Sequence, residues 1–299
     1  MLTEHGCKIA PRTFYAWQAR SQSKRALWDM TVIEILAGYY EPDADGRRKP
    51  ESLYGAAKMW AHLQRQGIPV AKCTVERLMR ANGWQGVRRV KKVRTTVADP
   101  AATRAPDLVD RRFAVDAPNR LLVADFTYVR LVTGVFVYTA FVIDAYAGRI
   151  LGWACSTAKQ AWFVESAIRQ AAALRAREGH PLLGSTIHHC DAGSQYTSVH
   201  CGETIVLAGM KPSIGTVGDA YDNALAETTI GLYKTEAVRK DSPFRVGSLR
   251  SVHDVEHLTA DWVHWYNTSR LMHRLGLKPP VEYEAHYHAH HTGQLTGTK

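Results

Sequence analysis

The sequence lacks long hydrophobic runs and an N-terminal leader pattern. No stretch of eighteen consecutive apolar residues occurs among its 299 residues, which argues against a membrane-spanning helix. The first seven residues have neither the basic start nor the apolar core of a secretory signal peptide, so we expect a cytoplasmic protein.

Cysteine is also scarce. The five cysteines are odd in number and scattered without a Cys-x-x-Cys pair, which favours reduced thiols over a disulfide framework. His188, His189 and Cys190, with His200 and Cys201 nearby, match no paired zinc pattern, so a structural interpretation of these residues is favoured over zinc. No Gly-rich phosphate loop of the Walker type occurs, and ATP use is therefore not indicated.

Positive charge is abundant and unevenly distributed. The formal net charge is +10, and residues 51–100 contain ten Lys or Arg against three Asp or Glu. Such a region favours a polyanionic partner, because phosphate neutralisation releases counterions. A solvated charged surface is the alternative, and charge alone does not decide between them.

Two helices in this basic region are separated by a glycine turn, after a helical segment over residues 1–49. Apolar spacing predicts them over Leu53–Gln66 and Ala71–Ala81, and Lys72, Arg77 and Arg80 lie on the polar face of the second. A DNA-binding helix-turn-helix and a compact helical hairpin with a solvated basic face explain this pattern equally well.

A basic arm follows the hairpin and completes a predicted DNA-binding region over residues 50–95. Its residues Arg88, Arg89, Lys91 and Lys92 are placed to follow phosphates. The proline-containing stretch 96–117 is predicted to be an interdomain linker.

Beyond residue 118 the periodicity changes to that of a mixed α/β domain, predicted over residues 118–240. Strands are predicted at Leu121–Leu131, Val135–Ile143, Ile150–Cys155, Thr186–Cys190 and Lys211–Ile214, and helices at Trp162–Arg177, Val199–Ala208 and Asp222–Val238. This order is that of a ribonuclease-H-like fold, a mixed five-stranded sheet with flanking helices. Residues 241–299 are predicted to add a helix at Leu249–Tyr266 and a His-rich tail without fixed structure.

Three carboxylates occupy positions suited to metal binding. Asp125 lies within the first strand, Asp191 directly follows the fourth, and Glu227 lies in the last helix of the domain. In this order of elements the first and fourth strands are predicted to be neighbours, so the three can converge on Mg²⁺ or Mn²⁺, with two ions serving phosphoryl transfer. Lys234 and Asn223 share the Glu227 face of that helix and are predicted to contact DNA.

The motifs around these acids resemble one family. The 35 residues between Asp191 and Glu227 match the spacing of DDE transposases and retroviral integrases. The sequence is most similar to second-frame transposases of the bacterial insertion-sequence-three family. The similar segments are Tyr54–Gly55, Arg77–Arg80, Val123–Val129, His188–Tyr196, Tyr221–Ala224, Lys234–Glu236 and Trp265–Pro280. Leu122 and Ala192 stand where the family often has Trp and Arg.

The resemblance implies an integrase catalytic core that depends on divalent metal, with Asp125, Asp191 and Glu227 as catalytic and metal-binding residues. It implies cleavage of DNA at element ends and strand transfer into target DNA. It also implies a homo-multimer on DNA, in the bacterial nucleoid, and an upstream reading-frame product as fusion or subunit. Two alternatives are a ribonuclease-H-like nuclease without strand transfer and a non-catalytic DNA-binding relic or inhibitor.

Overall fold

The computed structural model describes residues 10–88, 107–109, 113–191, 198–215 and 224–296. The chain divides into two compact units, Met1–Gly86 and Val87–Lys299. Each unit has its own hydrophobic core.

Helices form the N-terminal unit. They are α1 (Pro11–Gln18), α2 (Lys24–Tyr40), a 3₁₀ turn (Pro50–Leu53), α3 (Ala56–Arg65) and α4 (Lys72–Ala81). The two helices predicted around the glycine turn are thus present as α3 and α4, and Gly67 between them has a φ of +75°. Leu36, Met59 and Val75 lie in the core that joins α2, α3 and α4.

The second unit is built on one five-stranded sheet. Its strands are β1 (Leu121–Arg130), β2 (Phe136–Asp144), β3 (Arg149–Ser156), β4 (Thr186–Cys190) and β5 (Met210–Ile214), in the order β3-β2-β1-β4-β5. The first three strands are antiparallel, whereas β4 runs parallel to β1 and β5 parallel to β4. The predicted neighbourhood of the first and fourth strands is therefore confirmed.

Helices cover both faces of this sheet. They are α5 (Ala161–Arg177), α6 (Val199–Leu207), α7 (Ala224–Tyr233), a π-helical turn (Lys234–Val238) and α8 (Val252–Thr268). Because side chains alternate along a strand, Leu122 and Ala124 share a core with α5 and α6, whereas Phe141 packs against Tyr233 and Trp262 of α7 and α8.

The interface between β3 and α5 is unusually close. A Cβ placed on Gly152 would lie 2.0 Å from the carbonyl oxygen of Ala167. Only glycine permits this approach of strand to helix.

The expectation of a tail without fixed structure is wrong. Residues Pro280–Thr296 form α9. Glu284 of α9 is 2% exposed and pairs with Arg175 and Arg149, which lie on α5 and β3. His288 stacks on His180 at 3.8 Å between ring centroids. These long-range contacts hold the helix against the core, although its own sequence is only weakly amphipathic.

No helix within the described ranges is both long and apolar enough to cross a bilayer. Leu122 is fully buried opposite His188 in the β1–β4 pairing. Ala192 lies outside the described residues.

Candidate active site

The register of the sheet places Asp125 beside Asp191. β1 and β4 pair in parallel up to Ala124 and Cys190, so the next residue on each strand is an aspartate. β4 ends there, and β1 continues to Arg130 with β2 as its partner. The two acids therefore lie next to each other, where β1 continues without a strand partner on its β4 side.

Glu227 approaches this point from α7. It lies in the first turn of the helix, which packs on β1. Its side chain is exposed, whereas Asp191 is half-buried and Asp125 is largely buried. The helix thus brings a third carboxylate towards the paired aspartates from the solvent side.

Electrostatic coupling shows that the three acids share one environment. Burial, followed by the negative charge of Asp191 and then of Glu227, raises the pKa of Asp125 from 3.8 to about 8. The backbone N–H of Phe126 donates to Asp125 Oδ1 at 2.7 Å, and this bond acts in the opposite direction on the pKa, as does the charge of Lys234. At neutral pH Asp125 therefore holds a proton in the absence of a cation.

This donor set fits a hard divalent cation. Carboxylate oxygens are the ligands that Mg²⁺ and Mn²⁺ prefer, and a cation would relieve the repulsion that raises the Asp125 pKa. Within the described ranges, no three His, Cys, Asp or Glu side chains are already gathered as a metal site. The segments 192–197 and 216–223, next to Asp191 and before α7, lie outside those ranges.

A buried ion pair fixes the helix that follows Glu227. The helix changes to π geometry at Lys234, and Glu236 within this turn is 4% exposed. Arg270 Nε lies 2.9 Å from Glu236 Oε2, and Trp262 Nε1 donates to the same oxygen at 3.2 Å. π turns often occur at functional sites, and this one presents Lys234 towards the acids.

The basic residues predicted to contact DNA lie in different settings. Arg77 donates to both carboxylate oxygens of Asp29 at 2.7 and 2.8 Å, so it ties α4 to α2. Lys72 is exposed, 3.8 Å from Glu76, and Arg80 is exposed as well. Predicted DNA-contacting residues outside the described ranges are Arg89, Lys91, Lys92 and Asn223.

Arg88 and Lys234, far apart in sequence, line one cleft. Tyr128, Arg130 and Arg239 line it too, and the sequence reasoning assigned no role to these three. The alternation of β1 is the signal that was missed, because Tyr128 and Arg130 are both exposed on the same face of the strand.

Family models match much of the chain. Models described as integrase core domain match residues 115–220 and 208–280, and a model described as HTH-like domain matches residues 46–92. A Mycobacterium tuberculosis protein named as transposase for insertion sequence element IS986/IS6110 is 49% identical over 281 residues, covering 94% of this chain and 96% of that protein. The chain belongs to the insertion-sequence transposases.

A second relative extends the comparison. The transposase for insertion sequence element IS629 of Shigella sonnei is 41% identical over 286 residues, covering 94% of this chain and 90% of that protein. The transposase is accordingly a polynucleotidyl transferase of the DDE type with a DNA-binding helix-turn-helix. The DNA-binding interpretation of α3 and α4 is thereby favoured over the bare hairpin.

Solved structures were also found to be similar. The simian T-cell lymphotropic virus intasome, in complex with PP2A regulatory subunit B56 gamma, matches 77% of this chain and 70% of that chain at 14% identity and a TM-score of 0.46. The HTLV-2 integrase catalytic core domain, in complex with magnesium, matches 56% of this chain and 97% of that chain at 18% identity and a TM-score of 0.42. The strand order and the integrase-core matches identify the sheet domain as ribonuclease-H-like.

Proposed function

We propose that Asp125, Asp191 and Glu227 are the catalytic carboxylates of the transposase and hold divalent cations, two Mg²⁺ or Mn²⁺ ions. The observation that supports this most directly is the parallel β1–β4 register, which places Asp125 beside Asp191, together with the packing of α7, which carries Glu227, on β1. Three acids that repel one another at the open side of a strand form a site that a cation stabilises.

Two ions bound there would activate a water or a 3′-hydroxyl and stabilise the leaving oxygen of an in-line displacement. The chain need supply no covalent nucleophile for this displacement. Asp125 is held in position by its place in β1 and by the hydrogen bond that the Phe126 N–H donates to it. Lys234 adds a positive charge beside the acids, where it would contact a phosphate of the bound strand.

The reaction proposed is cleavage of DNA at the element ends, which exposes 3′-hydroxyls, followed by strand transfer into target DNA. We assign recognition of DNA to residues 50–95 and the chemistry to residues 118–240. Lys72, Arg77, Arg80 and the 88–92 arm would neutralise phosphates, with Arg77 also retaining its bond to Asp29.

Two element ends must be joined in one reaction, so we propose that the transposase works as a homo-multimer on DNA. An upstream reading-frame product is a further proposed partner, as a fusion or subunit. Because its substrate is DNA, the transposase would act in the cytoplasm, at the bacterial nucleoid. Co-purification with the upstream product in the presence of end DNA tests these partners.

The test of the catalytic assignment uses Asp125→Asn, Asp191→Asn and Glu227→Gln in an assay with DNA that carries the element ends. Each variant should lose cleavage and strand transfer by a factor of 10³ or more, on the order of the loss of an essential catalytic group, while DNA binding persists. Glu203→Gln on α6 is the matched control and should keep full activity, because Glu203 is exposed and pairs at the surface with His200.

The products decide between the alternatives. Cleavage without strand-transfer products would favour a ribonuclease-H-like nuclease. Transposition that persists in a folded Asp125→Asn variant would exclude the proposed site. DNA binding without any metal-dependent cleavage by the unaltered protein would favour a non-catalytic DNA-binding protein.

A further inference from the structure

A basic cleft lies on the stretch of β1 that extends beyond β4, and its lining includes Lys234, whose charge acts on Asp125. Arg88, Tyr128, Arg130, Lys234 and Arg239 line it, and its volume is about 340 Å³. Sites of this size accommodate small organic groups. Four of these five side chains are cationic, so the cleft favours an anionic ligand.

One exposed aromatic ring, Tyr128, lines this cleft, and a second, Phe136, lies against it. Tyr128 is 56% exposed and Phe136 is 42% exposed, and their rings meet edge to face at 5.2 Å between centroids. Lys234 Nζ lies 4.9 Å from the centroid of the Tyr128 ring. Because both rings are exposed to solvent and lie next to a cation, they are not part of the hydrophobic core.

The sheet explains why this surface is open. β4 pairs with β1 only as far as Ala124, so Tyr128 and Arg130 have a strand partner on the β2 side only. Tyr128 and Phe136 are diagonal neighbours across the β1–β2 pair and stand on one face. The rings and cations therefore lie together, and Lys234 connects this group to Asp125.

A cleft that bound only the phosphates of DNA would need its cations but not its aromatic rings. Duplex DNA presents its phosphates outwards and keeps its bases stacked inside, so it offers no base to the aromatic pair. Separated strands offer both a phosphate chain and free base faces, and proteins bind them with positive grooves and stacking aromatics.

We infer that this cleft binds an unpaired DNA strand next to the scissile phosphate, with phosphates on Arg130, Lys234 and Arg239 and a base stacked on the aromatic pair of Tyr128 and Phe136. Arg239 already pairs with Asp241 at 2.9 Å, and a phosphate would compete for it or share it. This inference rests on the proposed function, because it places the strand beside Asp125. It adds that the strand held there is separated from its complement.

The test measures the binding of fluorescent 15-nucleotide DNA by the full chain without added metal, as a single strand and as a blunt duplex. Tyr128→Ala should weaken single-strand binding roughly 5- to 100-fold, as for other stacking residues, and duplex binding far less. Tyr128→Phe should bind as the unaltered protein does and shows that the fold tolerates a change there.

The salt dependence tests the cations. For the single strand, Arg130→Ala should reduce the slope of log K against log salt by about 0.7. Arg169→Ala, an exposed arginine on α5 that pairs with Glu165, should leave the slope unchanged. Photocrosslinking from an iodouracil-substituted strand should map to the peptide that contains Tyr128.

Equal loss of single-strand and duplex binding in Tyr128→Ala, or no loss of either, would overturn the inference, as would crosslinks confined to other peptides. The cleft and the catalytic assignment can therefore fail separately, since one is measured by binding without metal and the other by cleavage.

Discussion

Replacing Asp125 with Asn should stabilise the metal-free transposase while abolishing its activity. The Asp125 pKa is about 8 in the folded protein and near 3.8 when unfolded. Below pH 3.8 both states are protonated and the group has no effect on stability. Between pH 3.8 and pH 8 the unfolded state is ionised while the folded state keeps its proton, and above pH 8 the penalty is constant.

The size of the expected stabilisation follows from the pH range between these two pKa values. The penalty grows by about 1.4 kcal/mol for each pH unit, which gives about 4 kcal/mol at pH 7 as an upper value. Asp125 retains some contact with water, so we expect about 2–4 kcal/mol. Asn keeps the shape and the acceptor oxygen for the Phe126 N–H but carries no charge.

The assay is thermal unfolding in EDTA at pH 5, 6, 7 and 8. The melting temperature of Asp125→Asn should exceed that of the unaltered protein by roughly 5–12 °C at pH 7, and the gap should widen from pH 5 to pH 8. Asp261→Asn, an exposed aspartate on α8, is the control and should change little. Added Mg²⁺ should stabilise the unaltered protein and not Asp125→Asn.

Two results would refute this reasoning. The first is a difference in melting temperature between Asp125→Asn and the unaltered protein that is zero, or that stays constant from pH 5 to pH 8. The second is equal stabilisation of both proteins by Mg²⁺. Either would show that Asp125 does not share a repulsive site with Asp191 and Glu227.

Three further predictions concern the core around this site. Glu284→Ala should lower the free energy of unfolding by about 3–5 kcal/mol in urea titrations, because it removes a partner from fully buried Arg175. Burial lowers the His188 pKa from 6.5 to about 4, so the unfolded state takes up a proton at a higher pH than the folded state does. The unaltered protein should therefore lose about 3 kcal/mol of its free energy of unfolding between pH 7 and pH 4, and His188→Leu should not show this loss. Gly152→Ala should abolish stable folding, assayed by circular dichroism, because its Cβ would meet the Ala167 carbonyl.

Two of these have a control variant on the same chain. His286→Ala, exposed on α9, should leave stability unchanged, and equal losses in His286→Ala and Glu284→Ala would show that the helix, not the ion pair, matters. Gly202→Ala on α6 meets nothing within 4 Å and should fold normally, so a folded Gly152→Ala would contradict the close approach. An unchanged acid sensitivity in His188→Leu would place that proton uptake elsewhere.

Much of the sheet domain was predictable from local patterns. The predicted strand at Thr186–Cys190 has those bounds in the structure, and the β1, β2 and β3 bounds differ by one residue at most at either end. Alternation and β-branched content record which face of a strand is buried, so the sequence contains this information locally. The same patterns placed Asp125 within β1 and Asp191 directly after β4.

The C-terminal tail is a segment whose structure the local sequence patterns did not predict. The His-rich sequence of α9 has no strong apolar stripe, and the helix is held by Glu284 contacts to residues more than a hundred positions away. Ion pairs of that kind leave no local signal, because either partner alone is typical of a solvated surface. Sequence reasoning therefore assigned the wrong state to this segment.

The sequence by itself determined the order of elements, the three acids and their spacing, because period and residue type are properties of short stretches. Only the tertiary structure decided that Tyr128, Arg130 and Arg239 join Lys234 in one cleft and that Glu236, two residues beyond Lys234, pairs with Arg270. The physical reason is that strand pairing and helix packing bring together residues whose separate environments in the sequence are unremarkable.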